Sequence, residues 1–276
     1  KNPLDIKPFW QYLVLCLAFC DGMAQSASLQ MGARAQGMGY ASACLSDVWS
    51  LTNNIAGLAE TKGPVAAFTY LAIPTLNYFD RRAAVFAIPA GPGVTGLSVF
   101  RFGDDLYSEQ ILSLGFANKF GLASLGIKIN YIQYNGQGIG TNRAVTASFG
   151  GIAALTPQLS FGAHILNINQ PVINELTEER VPTRLMTGMS LELSENLITA
   201  IEIEKDLGYP AILKAALEYQ VFKKVTFRTG FNFQPQSGFF GLGFHARKFE
   251  LDYALQIHPL LGLIHQATVA WQFNKQ

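Results

Sequence analysis

His258 and His265 flank one short turn near the end of the chain, and two imidazoles so placed are its nearest approach to a metal site. A metal needs further ligands, and partners for the second ring nitrogens. No carboxylate pattern accompanies this pair, so the histidines read as hydrogen-bonding groups at a rim and no metal is expected. "GQGIGTN" (136–142) and "GARAQGMG" (32–39) are glycine-rich. A phosphate cradle needs such a loop to open a helix. The first lies in a hairpin connection, and the glycines of the second suit close packing against a wall. No Ser-His-acid arrangement can be picked out, and geometry would decide that chemistry. Neither an enzyme nor a cofactor is expected.

One set of charged residues does fall into a pattern. Arg184, Glu192, Glu202, Glu204, Lys214, Glu218, Arg228, Glu250 and Asp252 share the polar face of successive alternating segments. Two readings stand side by side: a wet lumen wall, or a paired network that helps to hold something inside, since buried charges need partners. The mixed signs argue against a selective open pore, which would show a ring of one sign.

The elements that carry these charges are strands. Large apolar residues recur with period two along most of the chain, as in Ala123, Leu125, Ile127, Ile129 and Tyr131, with polar residues between. Strands are expected near 64–73, 82–90, 93–102, 109–118, 121–134, 143–155, 158–168, 183–193, 196–205, 210–221, 224–233, 238–247, 248–257 and 262–273. They are about ten residues long, more than a soluble sandwich uses, and aromatic residues sit near their ends. Short connections alternate with longer ones, as short periplasmic turns alternate with outer loops. The expected fold is all-β: a transmembrane antiparallel up-and-down barrel of about fourteen strands, closed because lipid tolerates no open edge. Asn169 to Pro182 should then face the cell surface, and Lys223-Lys224 the periplasm.

Bulk composition agrees. Charged residues make up only 14% of the chain, where about a quarter is usual in soluble domains. A net charge of +1 without a basic block argues against nucleic acid as a partner. Lys1 and Lys7, an apolar run over 9–19 and the small residues around Ala24 form a secretory signal, expected to span 1–24. Cys20 offers a lipid-anchor alternative. Cleavage would leave Cys44 as the one remaining cysteine, so no internal disulfide is expected.

Residues 25–62 alternate poorly and are expected to form a plug for the barrel of 63–276, with Met31 to Ala59 inside it or across its mouth. Gly32, Arg34, Gly37, Gly39, Asp47, Asn53, Asn54 and Gly57 are its candidate functional residues. Ser46 or Asp47 suits the cap of a short helix. Arg34 and Asp47 can pair with wall charges, and Asn53 and Asn54 with strand-end backbone.

"GARAQGMGYASACLSD", "NNIAGLA" and the closing "LDYALQIHPLLGLIHQATVAWQF" resemble the PorV/PorQ-type barrels of Bacteroidetes, which are related to FadL-type transporters of hydrophobic compounds. Ile55 stands where that family has proline. "VPTRLMTGMSLEL" and "EKDLGYPAILKAALEY" are similar too. The resemblance implies a fourteen-strand barrel with an N-terminal plug in the outer membrane. Its partners would be outer-membrane lipid and the type IX secretion machinery or its cargo. FadL-like carriage of a hydrophobic ligand or lipid through the lumen is the alternative.

Overall fold

The structure is a computed structural model that describes residues 29–76, 78–138, 140–174 and 178–273. The expected signal segment, with Cys16 and Cys20, lies outside them. Sixteen strands follow in order: β1 (Val65–Ala72), β2 (Arg81–Ala90), β3 (Gly93–Gly103), β4 (Tyr107–Phe120), β5 (Ala123–Gly136), β6 (Gly140–Ala154), β7 (Leu159–Leu166), β8 (Val172–Asn174), β9 (Glu179–Arg180), β10 (Arg184–Ser194), β11 (Leu197–Asp206), β12 (Ile212–Phe222), β13 (Val225–Phe233), β14 (Gln236–His245), β15 (Phe249–His258) and β16 (Gly262–Gln272).

All but β8 and β9 form one closed antiparallel barrel of fourteen strands, in which each pairs with its neighbours in sequence. β7 and β10 pair across the β8–β9 hairpin. β1 closes on β16 from Val65↔Gln272 to Ala72↔His265, so every wall strand has two partners. No edge is left to meet lipid unpaired. The end where β1 starts and β16 stops, the turn end, carries the short turns. The opposite, loop end carries the segment around β8–β9.

Each expected wall strand is found, with shifted ends. β4 runs from 107 rather than 109, and β6 from 140 rather than 143. β14 starts at Gln236, because "QPQS" contributes Gln236 and Ser237 to the strand and only Gln234 and Pro235 to the turn. The β8–β9 hairpin was not expected. At three and two residues, its strands are too short for a period to show.

The outward face is a belt of Leu, Ile, Val and aromatic side chains, among them Leu114, Ile127 and Ile201, each more than half exposed. Near the strand ends it carries edge-to-face pairs, Phe249 with Trp271 and Phe86 with Phe273. The inward face differs from one half of the barrel to the other. Over β1–β3 it is largely apolar, and Ala83, Val85, Ala87 and Phe100, with Ile111 of β4, are buried in one cluster with Leu51, Ile55 and Leu58 of the N-terminal segment, while over β4–β6 it is mixed, with Glu109, Lys128, Asn130 and Thr146 buried among small and apolar residues. Over β10–β15 it is ionic. Residues 82–90 alternate weakly for this reason, since β2 is apolar on both faces: lipid lies on one side and the N-terminal segment on the other.

Candidate functional site

Residues 30–58 lie within the barrel and are nearly all buried. Their backbone folds as one turn of α-helix, α1 (Ala33–Gly37), and two 3-10 helices, η1 (Val48–Leu51) and η2 (Ile55–Glu60). Asp47 caps η1: its Oδ1 accepts from Trp49 N at 2.8 Å, and Ser50 Oγ accepts from Asp47 N at 3.1 Å. This is a reciprocal capping box. Asn54 caps η2 through its Oδ1, which accepts from Ala56 N.

α1 lies flush on the wall because glycine meets glycine there. A Cβ on Gly37 would come within 2.9 Å of Gly241 Cα, and one on Gly230 within 2.4 Å of Gly39 N. Gly39 itself has φ +59°. Gly32 and Gly57 have another task. Their missing Cβ atoms make room inside the segment, beside Trp49 and beside Leu45 O.

The close approach brings Arg34 to Glu218 in a two-pronged pair, Nε–Oε2 2.9 Å and Nη2–Oε1 2.7 Å. Arg34 Nη1 also reaches Asp47 at 3.3 Å. Glu218 Oε2 accepts from Arg228 Nε at 2.6 Å, and Arg228 Nη1 donates to Asp252 at 2.5 Å. Charges therefore alternate in one chain, Asp47–Arg34–Glu218–Arg228–Asp252, from the segment across β12, β13 and β15.

A second group centres on Lys214, which lies 2.8 Å from Glu202 and 2.6 Å from Glu204 and donates to Tyr40 O. The other oxygen of Glu202 accepts from Ser42 N and Ala43 N, at 2.8 and 2.7 Å. Arg184 pairs with Asp206 at 3.3 Å. Glu192 and Glu250 stay outside these groups. Glu192 is exposed at the turn end, and Glu250 accepts from Gln272 Nε2.

Neutral bonds fasten the rest. Asn54 Nδ2 reaches Ala43 O at 2.6 Å and the wall carbonyl of Gly151 at 3.1 Å. Asn53 instead bonds Met31 O within the segment. Lys128, fully buried on β5, donates to Leu51 O at 2.9 Å. The inward period marks Lys128 as a lumen residue in the sequence, yet nothing there marks its partner.

Nor does sequence reasoning single out the wall glycines Gly115, Gly126, Gly150 and Gly162. A Cβ on any of them would overlap Leu51, Ile55, Asn54 or Ala43. Their signal is glycine at inward positions in mid-strand, where it otherwise weakens a sheet.

His258 and His265 do not act together. His258 Nδ1 accepts from Leu260 N and Leu261 N, and His265 Nδ1 meets Tyr253 Oη at 2.6 Å. Among the described residues there is no group of three or more possible metal ligands.

The N-terminal segment divides the lumen into two vestibules. The turn-end one, about 530 Å³, is polar, with Arg34, Asp47, Glu60, Lys62 and Glu250 in its wall. The loop-end one, about 520 Å³, is amphipathic. Leu76, Phe79, Phe102, Leu261 and Ile264 form its apolar side, and Arg81 with the pairs Arg184–Asp206 and Lys214–Glu204 its ionic side. Burial raises the Asp47 carboxyl above its ordinary value against the pull of Arg34.

Burial also pushes the Cys44 thiol up to about 12, with the charge of Glu202 adding to the shift. Thiolate, not thiol, is the nucleophile. At pH 8 a maleimide is therefore expected to label Cys44 far more slowly in the folded protein than after denaturation. Equal rates would show that this segment leaves the wall freely.

No protein-family model and no curated protein sequence matches the chain. Solved structures do. The Pseudomonas putida toluene transporter TodX superposes with a TM-score of 0.69 at 12% identity, over 91% of this chain and 100% of that one. The fold is that of a bacterial outer-membrane β-barrel. The CymD monoaromatic hydrocarbon channel gives 0.66 at 11% identity over 91% of this chain and 99% of that one. A Pseudomonas aeruginosa FadL homologue gives 0.64 at 11% identity over 90% and 100%. At such identities the likeness is one of fold. The three neighbours are a toluene transporter, a monoaromatic hydrocarbon channel and a FadL homologue.

Proposed function

We propose that this protein passes small hydrophobic molecules across the outer membrane, and that residues 30–58 are the plug that opens to let them through. The observation that carries this reading is the loop-end vestibule. A wall of Phe79, Phe102, Leu261 and Ile264 ends directly on plug residues Gln30 and Tyr40. Apolar ligand sites have this character, a mostly hydrophobic pocket with a few polar groups to orient the guest. The hydrocarbon channels with the same fold support toluene-like compounds as the first class to try.

Toluene uptake into cells carrying the protein in their outer membrane is expected to exceed uptake into control cells. Ile264→Trp, which fills the vestibule without touching the charge network, should return it to the control level. Uptake no faster than the control, with the barrel folded in the membrane, would overturn the proposal. The export role implied by the PorV/PorQ resemblance rests on the sequence motifs and predicts a different result: a secretion pore or its cargo would co-purify with the protein.

A further inference from the structure

One level of the barrel's outer surface, near the loop end, breaks the apolar belt. The strand register there places Arg82 opposite Arg101, Arg101 opposite Gln110, Gln110 opposite Gln133 and Gln133 opposite Arg143. One step toward the turn end, the same five strands present Ala84, Val99, Leu112, Tyr131 and Val145. The cations therefore stand where the apolar belt meets the polar boundary.

All three arginines are exposed. Among the described residues none of them has an ion pair, and the contact of Arg82 is with the ring of Tyr70, 5.7 Å from its centroid. The nearby Asp80 carboxylate accepts from the Tyr70 hydroxyl.

Arginines that serve only to keep their own charge in water are common at such an interface. Such residues would be expected around the whole circumference. Here they are confined to β2, β3 and β6. At the loop end of β13–β15 the outward residues are Phe231, Phe233, Phe240, Leu255 and Ile257. On β11, Lys205 already donates to Tyr209 O.

Beneath Arg82 and Arg101 the surface is hollow. Small side chains at Ala66 and Ala84 leave a depression of about 410 Å³ among Phe68, Phe86, Leu97 and Trp271. A two-residue step, about 7 Å of strand, separates the arginines from its upper edge.

We propose that this arc docks a bis-phosphorylated glycolipid of the surrounding leaflet, with its phosphates on the arginines and one acyl chain in the hollow. Guanidinium groups bind phosphate through two parallel hydrogen bonds. Arg82 and Arg101 are on adjacent strands, roughly 5 Å apart, whereas Arg143 is three strands on from Arg101, roughly 14 Å away. That spacing suits two separated phosphates better than one. The hollow supplies what a phosphate alone would not use, an apolar seat for a chain, which gains by leaving water. The proposal rests on the outer-membrane location and not on transport.

The test uses the whole protein in detergent, equilibrated with bis-phosphorylated lipid A or with phosphatidylcholine. After passage through lipid-free detergent, retained lipid is measured by native mass spectrometry. The wild type should keep lipid A about tenfold better than phosphatidylcholine. R82Q/R101Q/R143Q should lose about tenfold of that retention, the equivalent of ~1.4 kcal/mol. Ala84→Phe, which fills the hollow and leaves the arginines, should also reduce it, and together with R101Q it carries the test if the triple variant fails to insert. Equal retention by variants and wild type would overturn the proposal, as would equal retention of the two lipids. A dimer that dissolves on these substitutions would assign the arc to a second copy of the chain and overturn it as well.

Discussion

Replacing Arg228 by methionine is expected to destabilise the barrel by about 3–5 kcal/mol, the usual cost of removing one partner from a buried ion pair. Arg228 is 3% exposed and lies between two carboxylates, Glu218 at 2.6 Å and Asp252 at 2.5 Å. Methionine restores most of the volume and none of the charge. Arg34 still holds Glu218, but Asp252 loses its only ion-pair partner among the described residues. The loss is one of compensation: a carboxylate stays largely out of water with no direct ion-pair partner. The Lys119–Glu60 pair is the control. At 2.7 Å it is as close, but both side chains are exposed, and such pairs contribute about 0–1 kcal/mol. Lys119→Ala should therefore have little effect. Urea unfolding in lipid vesicles measures both. Equal losses for the two variants would mean that water enters the Arg228 site and screens it.

The position of Arg228 also explains which parts of the fold are legible in the sequence. β10–β15 alternate clearly because lipid lies on one face and ionised groups on the other, and hydropathy separates the two. β1–β3 alternate poorly because their inner face meets Leu51, Ile55 and Leu58. No local pattern separates an apolar face against lipid from one against a plug. Strand count and turn parity survive this, since both depend on where chains reverse. The paired charges were legible as a shared face, but their partners were not. Arg34 finds Glu218 across 184 positions, at a distance set by two glycine contacts with no period of their own. Glu192 shares the period but not the burial. Its period places it with Arg184 and Gly188, but it lies too close to the turn end to be covered.

The plug also contributes more to the wall than strand pairing and lipid-facing residues would suggest. Val85, Phe100 and Ile111 are buried in one cluster with Leu51, Ile55 and Leu58 of residues 30–58. Without residues 31–59 an apolar inner face would meet water, at about 25 cal/mol for each Å² uncovered. Glu202 would lose two backbone donors and Glu218 one of its two arginines. Deleting the segment therefore removes part of the core, and a point change that unseats it while leaving its residues in the chain is the sharper probe.

Gly162→Val is that change, and it is expected to open the lumen. Gly162 faces inward from the middle of β7. A Cβ built there would sit 2.1 Å from Ala43 O and 3.1 Å from Cys44 Sγ. The obstacle is backbone, so no side chain can rotate away. β7 is paired with β6 and β10 on its two sides, whereas the segment is fastened to the wall at this point by two backbone hydrogen bonds, from Ser42 N–H and Ala43 N–H to Glu202. The plug should give way before the wall. Overpacking costs about 1–3 kcal/mol, comparable to what those two bonds contribute. Three measurements should move together. The heat-resistant barrel band should persist, conductance in planar bilayers should rise above the wild type, and maleimide labelling of Cys44 should accelerate as its thiol leaves the carbonyls of Ser160 and Gly188, each 3.6 Å away. Gly238→Val is the matched control, because a Cβ there meets nothing within 4 Å and valine suits a strand. If Gly162→Val and Gly238→Val label and conduct alike, the wall and not the plug has absorbed the strain, and residues 30–58 are then a fixed filling and no gate.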